Sequence, residues 1–152
     1  METGIILGNS ILDIVFVAWA LAQIYKVISS IVTEKKFSMK RLWETGGMPS
    51  SHSSTVSALA TSVGIVYGPS SPLFAVSFIF AIIVMHDASG IRRAAGKQAS
   101  VLNRLGKTLS KVFDERFDED HLKELLGHSP VEVLVGAIVG VGVAFLLRFH
   151  LV

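Results

Sequence analysis

The sequence predicts an all-α integral membrane helical bundle of about four transmembrane helices, with one amphipathic helix on the cytoplasmic side, as a single membrane-embedded domain over residues 1–152. Three observations carry this expectation. Hydrophobic residues make up 51% of the chain, just above the ~45–50% usual in soluble domains. They are gathered into blocks, and the stretches 14–25, 73–85 and 133–147 contain no charged residue. The cations, finally, sit almost entirely on one side of a four-helix weave. A soluble bundle of four buried helices is the competing reading, and the placement of the cations decides against it.

The first span is expected at 9–33. Asp13 lies near one of its ends, where an interface position one turn from Asn9 and Ser10 accounts for the charge. Lys26 lies near the other and is expected to snorkel to the headgroups. No basic segment precedes this span and no small-residue cleavage site follows it, so it reads as a retained helix. The second span is expected at 51–68 and the third at 71–88. Between them Gly68, Pro69 and Pro72 make a short turn, with Pro72 opening the third helix. The fourth span is expected at 130–149. All four are short or polar at one end, as are helices whose ends line a wet cavity.

The stretch 91–113 differs in kind. Val101, Leu102, Leu105, Leu109 and Val112 recur at helical spacing, while Arg104, Lys107 and Lys111 occupy the other faces. That pattern suits a helix lying on an anionic leaflet. The acidic run 114–120 reads as a solvated loop.

Lys35, Lys36, Lys40 and Arg41 follow the first span. Arg92, Arg93, Lys97, Arg104, Lys107, Lys111, Arg116 and Lys123 lie between the third and fourth. These twelve fall on one side of the membrane, and Arg148 lies beyond the last span on the other. The positive-inside rule then places both basic segments in the cytoplasm and both termini outside, in a multi-pass protein of the cell (inner) membrane. The net charge of +2 is therefore a topology signal. No aromatic-interleaved basic stretch or nucleic-acid motif is present, so no nucleic-acid partner is expected. The absence of cysteine excludes disulfides, thiolate metal sites and cysteine nucleophiles.

Three short stretches carry the candidate chemistry. GGMPSSHS (46–53) opens the second span. Pro49 suits a first helical turn, Ser50, Ser51 and Ser53 offer hydroxyls beside free N–H groups, and His52 can give or take a proton near neutral pH. A helix start of this kind favours an anion, and phosphate is the natural guest. An N-cap with surplus serines is the plainer reading. GHSPVEVLVG (127–136) opens the fourth span, where Ser129 can cap, Pro130 fits the first position and Glu132 completes a capping box. His128 precedes that cap. Two histidines at a phosphate site permit covalent chemistry, one attacking phosphorus and the other protonating the leaving oxygen. DASGIRR (87–93) leaves the third span on the same side, where Arg92 and Arg93 can fork onto phosphate oxygens and Asp87 can orient a histidine or an arginine. Gly136 and Gly140 form a GxxxG, extended by Gly142, that should pack the fourth span closely on a neighbour.

Together these stretches resemble the divergent branch of the type 2 phosphatidic acid phosphatase superfamily, related to the vanadium haloperoxidases, over nearly the whole chain. The wider superfamily carries KxxxxxxRP, PSGH and SRxxxxxHxxxD and hydrolyses phosphate esters without metal through a phosphohistidine. The resemblance implies that Ser50 binds phosphate, with Ser51 standing where the family has glycine, and that His52 is the general acid. It implies that His128 is the nucleophile and that Glu132 holds its second ring nitrogen. No lysine is followed seven residues later by arginine ahead of residue 49, so Lys40 and Arg41 are the nearest candidates for that role. No Ser-Arg pair precedes His128 at the family's spacing, and Arg92 or Arg93 is left to supply the guanidinium.

The implied function is a membrane lipid phosphatase acting on a phosphate or pyrophosphate monoester of a lipid, with no cofactor, at a cytoplasm-facing site. The alternatives are a non-catalytic protein that binds or transports a lipid phosphate, and a metal-dependent lipid phosphatase using Asp87, Glu132 and the histidines. The expected partners are the lipid bilayer and a phosphorylated lipid, and self-association stays open.

Overall fold

A computed structural model describes residues 4–34, 47–113, 122 and 127–151. The elements are α1 (Ser10–Glu34), α2 (Ser51–Tyr67), α3 (Pro72–Ser89), α4 (Ile91–Phe113) and α5 (Pro130–Leu146), followed by a 3-10 turn, Arg148–His150. The described residues form an all-α membrane bundle, as the sequence predicts. The acidic run 114–120 lies outside them.

Three helix starts share one device. Ser50, Ser71 and Ser129 hold extended backbone and accept, through their hydroxyls, the N–H of Ser53, Phe74 and Glu132 respectively. Each cap satisfies a donor that the first turn would leave without an intrahelical partner. Pro72 and Pro130 follow their caps, where a missing N–H costs nothing. Pro49 does not: it precedes the cap, joined to Met48 by a cis peptide bond, and so lies outside the helix that it was expected to begin.

α2 is the hub and packs against α1, α3 and α5. Its polarity follows from that position. Ser51, Ser53, Ser54, Ser57 and Ser62 are buried in protein, alongside Val56, Ala58, Ala60 and Val63. Ser54 Oγ donates to the Ala18 carbonyl of α1 (3.1 Å), and the neighbouring Thr55 Oγ1 donates to the Ser51 carbonyl (2.7 Å). Small side chains let the neighbouring backbones approach closely. The sequence predicts spans whose polar ends line a wet cavity; the serines of α2 are instead enclosed by neighbouring helices.

The closest of these approaches is to α5. A Cβ added at Gly136 would run into the Ser50 carbonyl, and one at Gly140 into the Ser54 carbonyl. Gly142 departs from the expected small-residue surface, since a Cβ there would meet nothing within 4 Å. Away from the site, Ile11, Ile14 and Ala18 of α1 meet Ala58 and Val63 of α2 and Val143 and Ala144 of α5 in one core cluster.

The outward surfaces are lipid-like. On α3, Leu73, Val76, Phe78, Ile79, Phe80, Ile82 and Ile83 are all exposed, and Leu12, Phe16, Leu21, Ile24 and Ile28 are exposed on α1. A helix apolar all round with so much of it uncovered belongs in a bilayer, because soluble monomers do not expose continuous apolar surface on this scale. Ser10–Ser29 and a stretch within Pro72–Lys111 are long and apolar enough to cross a membrane, and Pro130–Leu146 is a shorter apolar helix. α4 carries its apolar residues Val101, Leu102 and Leu105 exposed, as a surface-lying amphipathic helix would. Asn103 holds the return of the chain by a reciprocal pair with the Leu122 backbone (3.0 and 3.1 Å).

The far end of the bundle is closed by Asp13. Its carboxylate is 3% exposed and accepts the N–H groups of Ile6 (3.1 Å) and Leu7 (2.7 Å), with His150 Nε2 at 3.7 Å. Asp13 is therefore a buried clasp between the N-terminal segment and the chain end, rather than a headgroup-level charge. The expected span 130–149 ends early for the same reason: after Leu146 the chain tightens into the 3-10 turn that carries His150 to this clasp.

Candidate functional site

The opposite end of the bundle gathers four helix ends. α1 passes it at Lys26, α2 begins there, α3 leaves it and α5 begins there. Two backbone hydrogen bonds tie these ends together. Ser50 N donates to the Glu132 carbonyl (3.0 Å), fastening the start of α2 to the first turn of α5, and His128 N donates to the Ala88 carbonyl (3.0 Å), fastening the segment before α5 to the end of α3. Gly127 lies against the Arg93 backbone so closely that any Cβ there would collide with it.

His128 is 2% exposed. Its Nδ1 stands 3.0 Å from Glu132 Oε2. An ionised carboxylate only accepts, so Nδ1 carries the hydrogen and Nε2 holds the lone pair. The same carboxylate oxygen accepts the Ser129 N–H (3.2 Å), and Glu132 N donates to Ser129 Oγ (3.3 Å), which completes a capping box. The two roles that the sequence offered for Glu132 are thus held at once by a single oxygen.

The His52 ring faces that of His128 edge to face, at 6.0 Å between centroids and 65° between planes. The two rings therefore border the same small region at this end of the bundle. His52 is half-buried. Ser50 is wholly buried, and its hydroxyl accepts both Ser53 N (3.3 Å) and Ser53 Oγ (3.0 Å). The plainer N-cap reading therefore describes Ser50 as the structure holds it, and its one remaining polar capacity is its own hydroxyl hydrogen.

Lys26 is the residue that sequence reasoning missed. It does not snorkel to the headgroups. It is 6% exposed, and its Nζ donates to Ser51 Oγ at 3.2 Å, within the electrostatic reach of Glu132. The signal was in the sequence: Ala18, Ala22 and Lys26 recur every four residues and so share one face of α1. Ala18 and Ala22 are buried, and that face meets α2. A buried membrane cation marks a functional position by default.

Of the remaining candidates, Asp87 and Arg93 are described. Asp87 is half-buried on the last turn of α3, one residue before the Ala88 that holds His128. Arg93 touches the site through its backbone, beneath Gly127, while its side chain is exposed. Arg92 lies in the first turn of α4, and its side chain is outside the described residues, as are Lys40 and Arg41. Among the described residues no three His, Asp or Glu side chains cluster as a metal site would require.

The arrangement therefore offers a histidine with a fixed tautomer, a second histidine facing it, a buried ammonium and a cluster of hydroxyls. Comparison with known proteins agrees with the motifs that form it. The sequence profile described as the Divergent PAP2 family matches residues 7–143. The chain is also 42% identical, over 137 residues, to the "Uncharacterized membrane protein YuiD" of Bacillus subtilis (strain 168), covering 84% of this chain and 87% of that relative. No solved structure matches. With the profile spanning α1 to α4, most of α5 and the three motif stretches, the chain belongs to the Divergent PAP2 family.

Proposed function

We propose that this protein is a membrane lipid phosphatase working through a phosphohistidine. The observation that carries the reading is the pair of facing histidines, one of them fixed by Glu132. In the first step His128 Nε2 attacks phosphorus and the bond from phosphorus to the lipid oxygen breaks. That oxygen takes a proton from His52 and leaves as an alcohol, or as a lipid phosphate from a pyrophosphate. In the second step water attacks the phosphohistidine, His52 takes the water's proton, and inorganic phosphate departs with His128 restored. Glu132 offsets the positive charge that grows on the His128 ring. Lys26 and the Ser51 hydroxyl supply charge and donors to the phosphoryl oxygens.

The test is phosphate release from a panel of lipid phosphates and pyrophosphates by the purified protein, with and without a chelator. Release that survives the chelator is expected, and release that requires a divalent ion would replace this mechanism by metal-assisted hydrolysis. The Lys26→Met variant should bind and turn over the same substrates at least ~10-fold less well, since a hydrogen bond to a charged group is worth ~1.5–3 kcal/mol. Unchanged kinetics would remove Lys26 from the site. One observation favours the second reading, a lipid-phosphate binder without turnover: the Arg93 side chain is exposed rather than turned inward. Binding without release, lost in Lys26→Met, would establish that reading.

The site faces the cytoplasm in this proposal, because the twelve cations flanking it should stay inside. Single cysteines at positions 38 and 98 should be protected from an impermeant reagent added to intact cells. Labelling of either from outside would reverse the orientation.

A further inference from the structure

A cavity of about 350 Å³ lies between α1 and α5, lined by Leu21, Ala22, Tyr25, Met48, Pro49, Val135 and Val139. Its origin is in the packing. At the far end α1 and α5 share a core cluster through Ile14, Ala18, Val143 and Ala144, whereas nearer the histidines Met48 and Pro49 join them in lining the cavity. None of its lining residues is charged. A cavity at the far end differs in including Asp13 and His150.

Each wall of the cavity runs into the candidate site within one helical turn. Ala22 is four residues from Lys26 on the same face of α1, Pro49 adjoins Ser50, and Val135 is three residues from Glu132. The cavity also reaches the outer surface of the bundle, where Leu21, Tyr25 and Met48 are exposed. An apolar slot therefore begins beside a buried ammonium and a pair of histidines and opens toward the lipid.

We infer that this groove holds the part of a hydrocarbon chain nearest the headgroup of a lipid phosphate, and that it is the lateral route by which such a lipid reaches the site. The inference rests on the proposed phosphate site. Its extent follows from the lining. From Leu21 to Tyr25, and from Val135 to Val139, is one turn, ~6 Å at 1.5 Å per residue. That length takes only the first few carbons, and the rest of the chain remains in the bilayer. A volume of 350 Å³ is at the low end of ligand pockets, ~300–1,000 Å³. In a membrane the slot gains little from hydrophobicity, since the bilayer is equally apolar. Occupancy must come from the phosphate end, and this makes the proposal testable.

The experiment uses the full chain in phosphatidylcholine vesicles with three photoreactive probes. One is an alkyl phosphate with a diazirine on a carbon near the headgroup, the second carries the diazirine at the chain terminus, and the third is the near-headgroup probe as the free alcohol. The near-headgroup phosphate should label residues 21–25 and 135–139, and Val139→Phe should abolish that labelling. The terminal probe should label the outward face of α3 instead, and the alcohol should lose the groove signal. Equal labelling of α3 and the groove by the near-headgroup phosphate, or equal groove labelling by the alcohol, would overturn the inference. The two proposals fail separately. Groove labelling without phosphate release removes only the hydrolase, while phosphate release without groove labelling removes only the groove.

Discussion

His128→Ala should abolish phosphate release and any acid-labile phosphoenzyme. The expectation follows from geometry: Nδ1 is given to Glu132, so the nucleophilic electron pair is on Nε2 of a ring that meets His52. His52→Ala should behave differently. Loss of a general acid costs ~10²–10⁴-fold with an alkoxide leaving group. It should cost less with an activated aryl phosphate, which leaves without a proton. If dephosphorylation is slowed more than attack, the phosphohistidine should accumulate in the His52 variant and be trapped by acid-free gel electrophoresis. Both effects are read by phosphate release on matched alkyl and aryl substrates. Turnover retained in His128→Ala would end the phosphohistidine mechanism, whatever the behaviour of His52.

The largest stability effect should come from the glycines of α5. Gly136→Ala and Gly140→Ala each place a methyl against a backbone carbonyl of α2, and a carbonyl cannot rotate away as a side chain could. The helices must part, at a cost of ~1–3 kcal/mol per site and more for leucine. Gly142→Ala is the internal control. It meets nothing within 4 Å, and a helical Gly→Ala exchange favours the helix by ~1 kcal/mol. Thermal melting in detergent should thus fall clearly for the first two variants and hold or rise for the third. Equal melting of all three would mean that α2 and α5 do not touch along this line.

The helices were legible in the sequence because their signals are local. Uncharged blocks, serine caps and the proline pair fix where α3 and α5 start, and the change from apolar to amphipathic periodicity marks α4. The pairing of His128 with Glu132 came from the family resemblance and not from helical spacing, since His128 precedes the cap of α5. What escaped was tertiary. Lys26 lies 25 residues from Ser51, and only the packing of α1 on α2 says that its face is inward. Asp13 was misplaced likewise, since its partners are a preceding loop and a histidine from the other end of the chain. Ser50 shows the limit of motif reading: a helix-opening serine can present its hydroxyl to a ligand or fold it under as a cap, and spacing cannot tell the two apart.

The shared oxygen of Glu132 makes two equilibria into one. Whatever frays the first turn of α5 also releases the proton position of His128, and whatever turns the imidazole away removes one of the two partners that hold the Glu132 oxygen over the Ser129 amide. Coupling of this kind is reciprocal, with the same free energy in both directions. A change at the ring is felt as loosening or tightening of the helix start, and through the bond from Ser50 to the Glu132 carbonyl it reaches the start of α2 as well. The imidazole and the two helix origins therefore respond as one unit.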